Sequence, residues 1–286
     1  MSEEFVYCAY FWDITHQVFC QGPSVDAAHD IIVSAEKSGI ATVLLNRPHK
    51  RNAVSLAMWK QLCAIFRELS SRENVSVVIL AGAGGNFCAG ADISEFATVR
   101  ADSNSGRLYE EATEAATVAL RDCGKPTIAA VSGYGMGGGC ALALACDLRV
   151  GDATTRMGIP AARLGVVYSE LDCALLHRQV GLANAKRILY SGRHFDAKGC
   201  AAMGLLDVIA PTTALEGAQE LAAEMAGNAP LSLAGSKLVL EALAAGTTAD
   251  RHAEISAVID GAMNSADYRE GARAFLEKRK PAFTGR

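Results

Sequence analysis

Apolar residues recur in two patterns along this chain, and the two predict different elements. Ile40–Asn46, Val75–Ala81 and Thr127–Ser132 are nearly unbroken runs of Val, Ile, Leu and Ala, which is how strands buried on both faces read. Arg47-Pro48 ends the first, because proline cannot continue a central ladder. Between the runs, apolar positions step at helical intervals. Met58, Leu62, Ile65 and Leu69 follow Ser55, a residue suited to cap a helix. Residues 107–121 also read as helix and carry Glu110, Glu111 and Glu114. A short apolar segment, Cys140–Cys146, precedes a strand near Leu148–Val150. After about residue 211 only helical signals remain, among them the stripe Ile255, Val258, Ile259 and Met263.

Strands alternating with helices predict an α/β fold with buried, largely parallel strands. The chain divides into three stretches. Residues 1–36 lack this regularity and read as an extra hairpin, an unstructured lead or a mis-assigned start, and no function is assigned to them. Residues 37–210 form the β-containing core, and residues 211–286 a helical C-terminal region.

Composition narrows the class. Half of the 286 residues are hydrophobic and 20% are charged, with a net charge of −4. Disorder is excluded as the main state, and a nucleic-acid footprint, which needs clustered Lys and Arg, is not expected. No apolar run is long enough to span a membrane, and the first twenty residues lack a basic n-region and a clean apolar stretch. The 9 cysteines include no CxxC pair, so they read as small buried hydrophobes in a reducing compartment, with no zinc framework. A cytoplasmic protein is the expectation.

Glycine changes the picture most. Residues 82–139 hold 11 of the 27 glycines, nine of them in two clusters, 82–92 and 133–139. Gly133-Tyr134-Gly135-Met136-Gly137-Gly138 fits a dinucleotide fingerprint, with Asp152 where a ribose partner would stand. The helix after it is short for a Rossmann crossover. Glycines there also allow a tight turn. A third reading is that a Gly-rich turn entering a helix leaves free backbone N–H groups at a positive helix end, which can hold a developing oxyanion. The loop ending Cys88-Ala89-Gly90-Ala91-Asp92 offers a second such donor.

Together, Asn46-Arg47-Pro48, Asn52-Ala53, Phe87-Cys88-Ala89-Gly90-Ala91-Asp92-Ile93, Gly133–Cys140 and Cys146-Asp147-Leu148-Arg149 resemble the enoyl-CoA hydratase/isomerase (crotonase) family. Asp267-Tyr268-Arg269-Glu270-Gly271 and the run Ala274–Pro281 are similar to its C-terminal helix. The resemblance spans about residues 38–284 and makes the nicotinamide reading coincidental. It implies a spiral of ββα units, a helical trimerisation region, and a homotrimer or a dimer of trimers. It implies an acyl-CoA substrate, with coenzyme A arriving as part of that substrate and no separate prosthetic group. The N–H groups of Ala89 and Gly138 would form the oxyanion hole. Lys50, Arg51, Ala53, Ala89, Gly90, Ala91, Asp92 and Ile93 would contact the substrate from the first two loops, and Phe275 and Lys278 from the C-terminal helix of a neighbouring subunit.

The sequence departs from the family where hydration is carried out. The two hydratase glutamates correspond here to Ala141 and Ala161. A positioned acid or base contributes about 10²–10⁴-fold, so efficient hydration is not expected, and lyase or isomerase chemistry is. Gly165-Val166-Val167-Tyr168 resembles the methylmalonyl-CoA decarboxylase branch at Tyr168. Dienoyl-CoA isomerases and 4-chlorobenzoyl-CoA dehalogenases keep an aspartate near Ser169, where this chain has Glu170 adjacent. Tyr168 and Glu170 are therefore the candidate catalytic side chains, although Tyr168 also reads as pocket lining, and Glu170 and Asp172 as the acidic first turn of a helix. A non-catalytic acyl-CoA-binding protein is the alternative.

Overall fold

The computed structural model describes residues 29–36 and 38–286. Strands β1 (Ile31–Ala35) and β2 (Ile40–Leu45) form an antiparallel pair. β1 lies inside the 1–36 stretch, so the sheet begins before residue 37. The run is five half-buried or exposed residues at a sheet edge, and edge strands carry little apolar signal. Residues 1–28 of that stretch lie outside the described residues.

Helix α1 (Leu56–Ser71) is capped by the Ser55 hydroxyl, which accepts from the Met58 N–H, and it buries Met58, Trp59, Leu62, Phe66 and Leu69. β3 (Val77–Gly82) follows, parallel to β2. The single turn α2 (Phe96–Val99) leads into α3 (Ser103–Arg121), which starts earlier than its apolar residues suggest because Asp102 caps it. β4 (Thr127–Val131), β5 (Tyr134–Met136) and α4 (Gly138–Ala145) make one ββα turn. β6 (Leu148–Gly151), β7 (Arg156–Gly158) and α5 (Glu170–Ser191) make the next. β8 (His194–Asp196), α6 (Ala197–Met203) and β9 (Val208–Ile209) complete the β-containing part. Then come α7 (Ala214–Ala226), α8 (Pro230–Ala245), α9 (His252–Asn264) and α10 (Ala266–Leu276).

The large sheet runs β1-β2-β3-β4-β6-β9, parallel from β2 onward, and β5-β7-β8 form a smaller one. On one face of the large sheet, Val43, Leu45, Val78, Leu80, Ala129 and Val131 join the core built with α1, α3 and α4. On the other face, Ile79, Ala81, Ile128 and Val150 meet Ala214, Ala218 and Ala222 of α7. Burial on both faces is why these strands read as unbroken apolar runs.

Candidate active site

The site is assembled from two loops held by a buried hydrogen-bond set. Asn52 accepts from the Arg47 N–H at 2.9 Å and donates to the carbonyls of Ala83 and Asn86 at 2.9 and 2.6 Å. It thereby ties the loop after β2 to the glycine loop after β3. Arg47 donates to the Ala53 carbonyl at 2.8 Å and pairs with Asp92 at 3.0 Å, while Lys50 reaches the same carboxylate at 2.8 Å. Burial alone would raise the Asp92 carboxyl, but Lys50, Ser94 and Arg47 hold it well below the usual carboxylate range. It remains an anion and fixes both cations.

So clamped, residues 88–92 lie between Val54 and β5, bridged to each. Nearly every amide in the segment has an acceptor. Cys88 donates to the Tyr134 carbonyl, Ala89 to that of Arg51, Gly90 to the Cys88 thiol and Asp92 to the Val54 carbonyl. Ala91 is the exception: among the described residues its N–H has no acceptor. The same holds for Gly138, the first residue of α4, whose N–H has no place in the helical ladder. Gly90 makes their proximity possible. It adopts φ +100, and a Cβ there would lie 2.8 Å from the Met136 carbonyl and 3.3 Å from the Gly138 nitrogen. A Cβ on Gly138 would in turn lie 3.7 Å from the Ala91 nitrogen. Two unspent donors side by side can hold one oxyanion.

This revises one expectation. The donor on the first loop is Ala91, not Ala89, because the Ala89 N–H is spent on the Arg51 carbonyl at 2.9 Å. Motif order alone does not show which amide of a twisted segment is left over.

Side chains wall the donors. Trp59 packs its six-membered ring 3.2 Å from where a Gly138 Cβ would be, and its indole N–H donates to the Tyr109 hydroxyl at 3.0 Å. The Tyr168 hydroxyl lies 3.7 Å from a Cβ placed on Gly137 and is buried without a hydrogen-bond partner. Burial, with the Cys140 thiol and the Asp172 carboxyl nearby, pushes its pKa well up, so it stays a protonated donor. Ala141 and Ala161 are buried at 3% and 7% exposure. Cys140 beside them is buried and its thiol strongly raised by desolvation, which suits packing and not nucleophilic chemistry.

Glu170 is exposed at the first position of α5 and points to no role among these groups. Asp172, in the same turn, is half-buried. Desolvation chiefly raises its carboxyl to about 6, the Ser169 side chain lowers it in part, and Glu110 and Glu114 of α3 raise it further. The sequence signal was only an acid in a helix's first turn, which is usually a solvated cap.

The outer residues are less gathered. Lys50 is engaged by Asp92, and Arg51 stacks on the Tyr134 ring at 5.3 Å. Ile93 is exposed beside the loop. Phe275, 83% exposed, lies in the last turn of α10, and Lys278 just beyond it. Asp152 gives the nicotinamide reading no support, because its carboxylate accepts from Ser132, Thr154 and the Ala214 N–H. Among the described residues no helix is long and apolar enough to cross a membrane.

The family model for enoyl-CoA hydratase/isomerase matches residues 35–286. The chain belongs to that family. It is 33% identical over 263 residues to a 2,3-dehydroadipyl-CoA hydratase of Escherichia coli, covering 90% of this chain and 99% of the relative. An enoyl-CoA isomerase/hydratase of Mycosarcoma maydis is 33% identical over 267 residues, with 88% and 95% covered. The crystal structure of an enoyl-CoA hydratase/carnithine racemase from Magnetospirillum magneticum superposes with a TM-score of 0.84 at 35% identity, covering 90% and 96% of the two chains. The fold is thus the crotonase spiral with its helical C-terminal region, and the family's enzymes act on acyl-CoA thioesters.

Proposed function

We propose that this family member binds an acyl-CoA thioester with its carbonyl oxygen between the Ala91 and Gly138 N–H groups and carries out lyase or isomerase chemistry through the enolate. The observation that carries this reading is the pair of unspent amides. An enolate places its charge on that oxygen, and one such donor is worth roughly 3–4 kcal/mol. Ala141 and Ala161 supply no acid or base, which disfavours adding water. The buried, unpartnered Tyr168 hydroxyl lies beside Gly137, next to the hole, and is assigned a contact with the enolate or its neighbouring carbon. Exposed Leu240, Leu243, Ile259 and Met263 on α8 and α9 support burial against further copies in a homotrimer, which would bring a neighbour's Phe275 and Lys278 toward the coenzyme.

Crotonyl-CoA hydration, followed by loss of the enoyl-thioester absorbance, tests the reading. Turnover at a rate ordinary for hydratases would overturn it. Tight acyl-CoA binding with no turnover across enoyl and malonyl thioesters would favour the non-catalytic alternative.

A further inference from the structure

We infer that Cys88 is a positioning residue of this site: its thiol, seated between the first loop and α4, takes up the Gly90 N–H and sets the direction and spacing of the donors at Ala91 and Gly138. The inference rests on the proposed binding of an acyl-CoA carbonyl between those donors and names the side chain that holds them in place.

Its basis is the turn of the chain at Gly90. Before it, the segment is tied to β5: the Cys88 N–H donates to the Tyr134 carbonyl at 2.8 Å, and the Met136 N–H to the Cys88 carbonyl at 2.9 Å. After it, the segment is tied to Val54, whose N–H donates to the Gly90 carbonyl at 2.8 Å and whose carbonyl accepts from Asp92 at 2.9 Å. Gly90 makes the change of partner with φ +100, and among the described residues its N–H has no backbone acceptor. The Cys88 sulfur accepts it at 3.3 Å, and the thiol lies 3.9 Å from the Gly90 carbonyl oxygen, toward which its own hydrogen can point. One side chain thus touches both peptide units that flank Gly90. The second of these carries the Ala91 N–H, and in a planar trans peptide that N–H points opposite to the Gly90 carbonyl. Holding the one aims the other.

The same thiol meets α4. A Cβ on Gly139 would lie 2.9 Å from the Cys88 sulfur and 2.7 Å from its Cβ, so the helix is seated on this side chain one residue after the Gly138 donor. Cys88 is fully buried, and burial pushes its thiol up to about 12. It therefore stays neutral, whereas a thiolate there would repel the oxyanion that the hole is built to hold. Beside Gly137, at the entry to the same helix, the buried Tyr168 hydroxyl has no partner in the protein and is left for a ligand.

The test reads the carbonyl stretch of butyryl-CoA, isotope-labelled at its thioester carbonyl, bound to the full-length protein, by infrared difference spectroscopy. This saturated thioester reports the hole without turnover. Donors on the oxygen lower the stretch, so the wild type should show a band well below that of the free ligand. Cys88→Ala removes the acceptor and leaves a gap between loop and helix, and should lose most of that shift. Cys88→Ser keeps an acceptor for the Gly90 N–H and should restore it, which a side chain that merely filled space would not do. Circular dichroism establishes that each variant is folded. A Cys88→Ala band at the wild-type position, or a Cys88→Ser band no lower than that of Cys88→Ala, overturns the assignment and leaves the hole standing. A wild-type band at the position of the free ligand overturns the proposed hole and the assignment with it.

Discussion

The two walls of the site are built on opposite physical terms. The cradle of residues 88–92 and 137–138 is backbone, and almost every polar group in it is satisfied, down to the buried Arg47–Asp92 pair and the Asn52 clip. Only the Ala91 and Gly138 N–H groups are left unspent. The wall at the start of α5 is side chain, and it holds groups at a cost: a buried hydroxyl without a partner and a desolvated carboxyl. Within one pocket, rigidity and reactivity are divided between them. The cradle adds stability as it fixes geometry, and the α5 wall gives up stability to hold unpartnered and desolvated groups.

Substitutions in the two walls should therefore move stability in opposite directions. The largest effect is expected in the cradle. Asp92→Ala leaves the buried Arg47 without its closest carboxylate, with only Asp30 at 3.7 Å, and should cost about 3–5 kcal/mol, read as a lower midpoint in urea unfolding. Ala91→Pro removes a donor that no part of the fold uses. It should lower kcat by about 10²–10³-fold with little change in Tm, whereas Ala89→Pro breaks the bond to the Arg51 carbonyl and should lower Tm instead. If the two variants behaved alike, the distinction between spent and unspent amides would fail.

On the other wall, Asp172→Asn should stabilise the protein. Folding raises this carboxyl to about 6, so the folded state binds the extra proton. The favourable contribution is complete below the unfolded value of about 4 and is lost as pH rises through about 6. At neutral pH the variant should gain about 2–3 kcal/mol over the wild type, and the gain should vanish near pH 4, measurable by unfolding at both pH values. The smallest effect is expected for Tyr168→Phe. It removes an unpartnered hydroxyl, so stability should hold or rise by about 1 kcal/mol, while kcat should drop about tenfold. A loss of stability there would mean the hydroxyl has a partner in the resting protein.

The same division governs what could be read without a structure. The strands at Ile40, Val77 and Thr127 were legible because burial on two faces leaves unbroken apolar runs, and α1 because its stripe follows a capping serine. The cradle was legible as a pair of glycine loops, since close backbone approach admits nothing else at Gly90. Which amide faces the cleft was not, because alternation along a twisted segment depends on partners far apart in sequence, such as Arg51 and Val54. β1 was hidden by its edge position. Asp172 was hidden by resembling any acid in a first helical turn, such as Glu170 two residues earlier, which is exposed.

The most direct test of the account follows but-3-enoyl-CoA by NMR in D2O alongside crotonyl-CoA under the same conditions. The account predicts double-bond migration and exchange of the transferred proton, with hydration of crotonyl-CoA slower by about 10²-fold or more. Hydration as fast as migration, with no exchange, would contradict it.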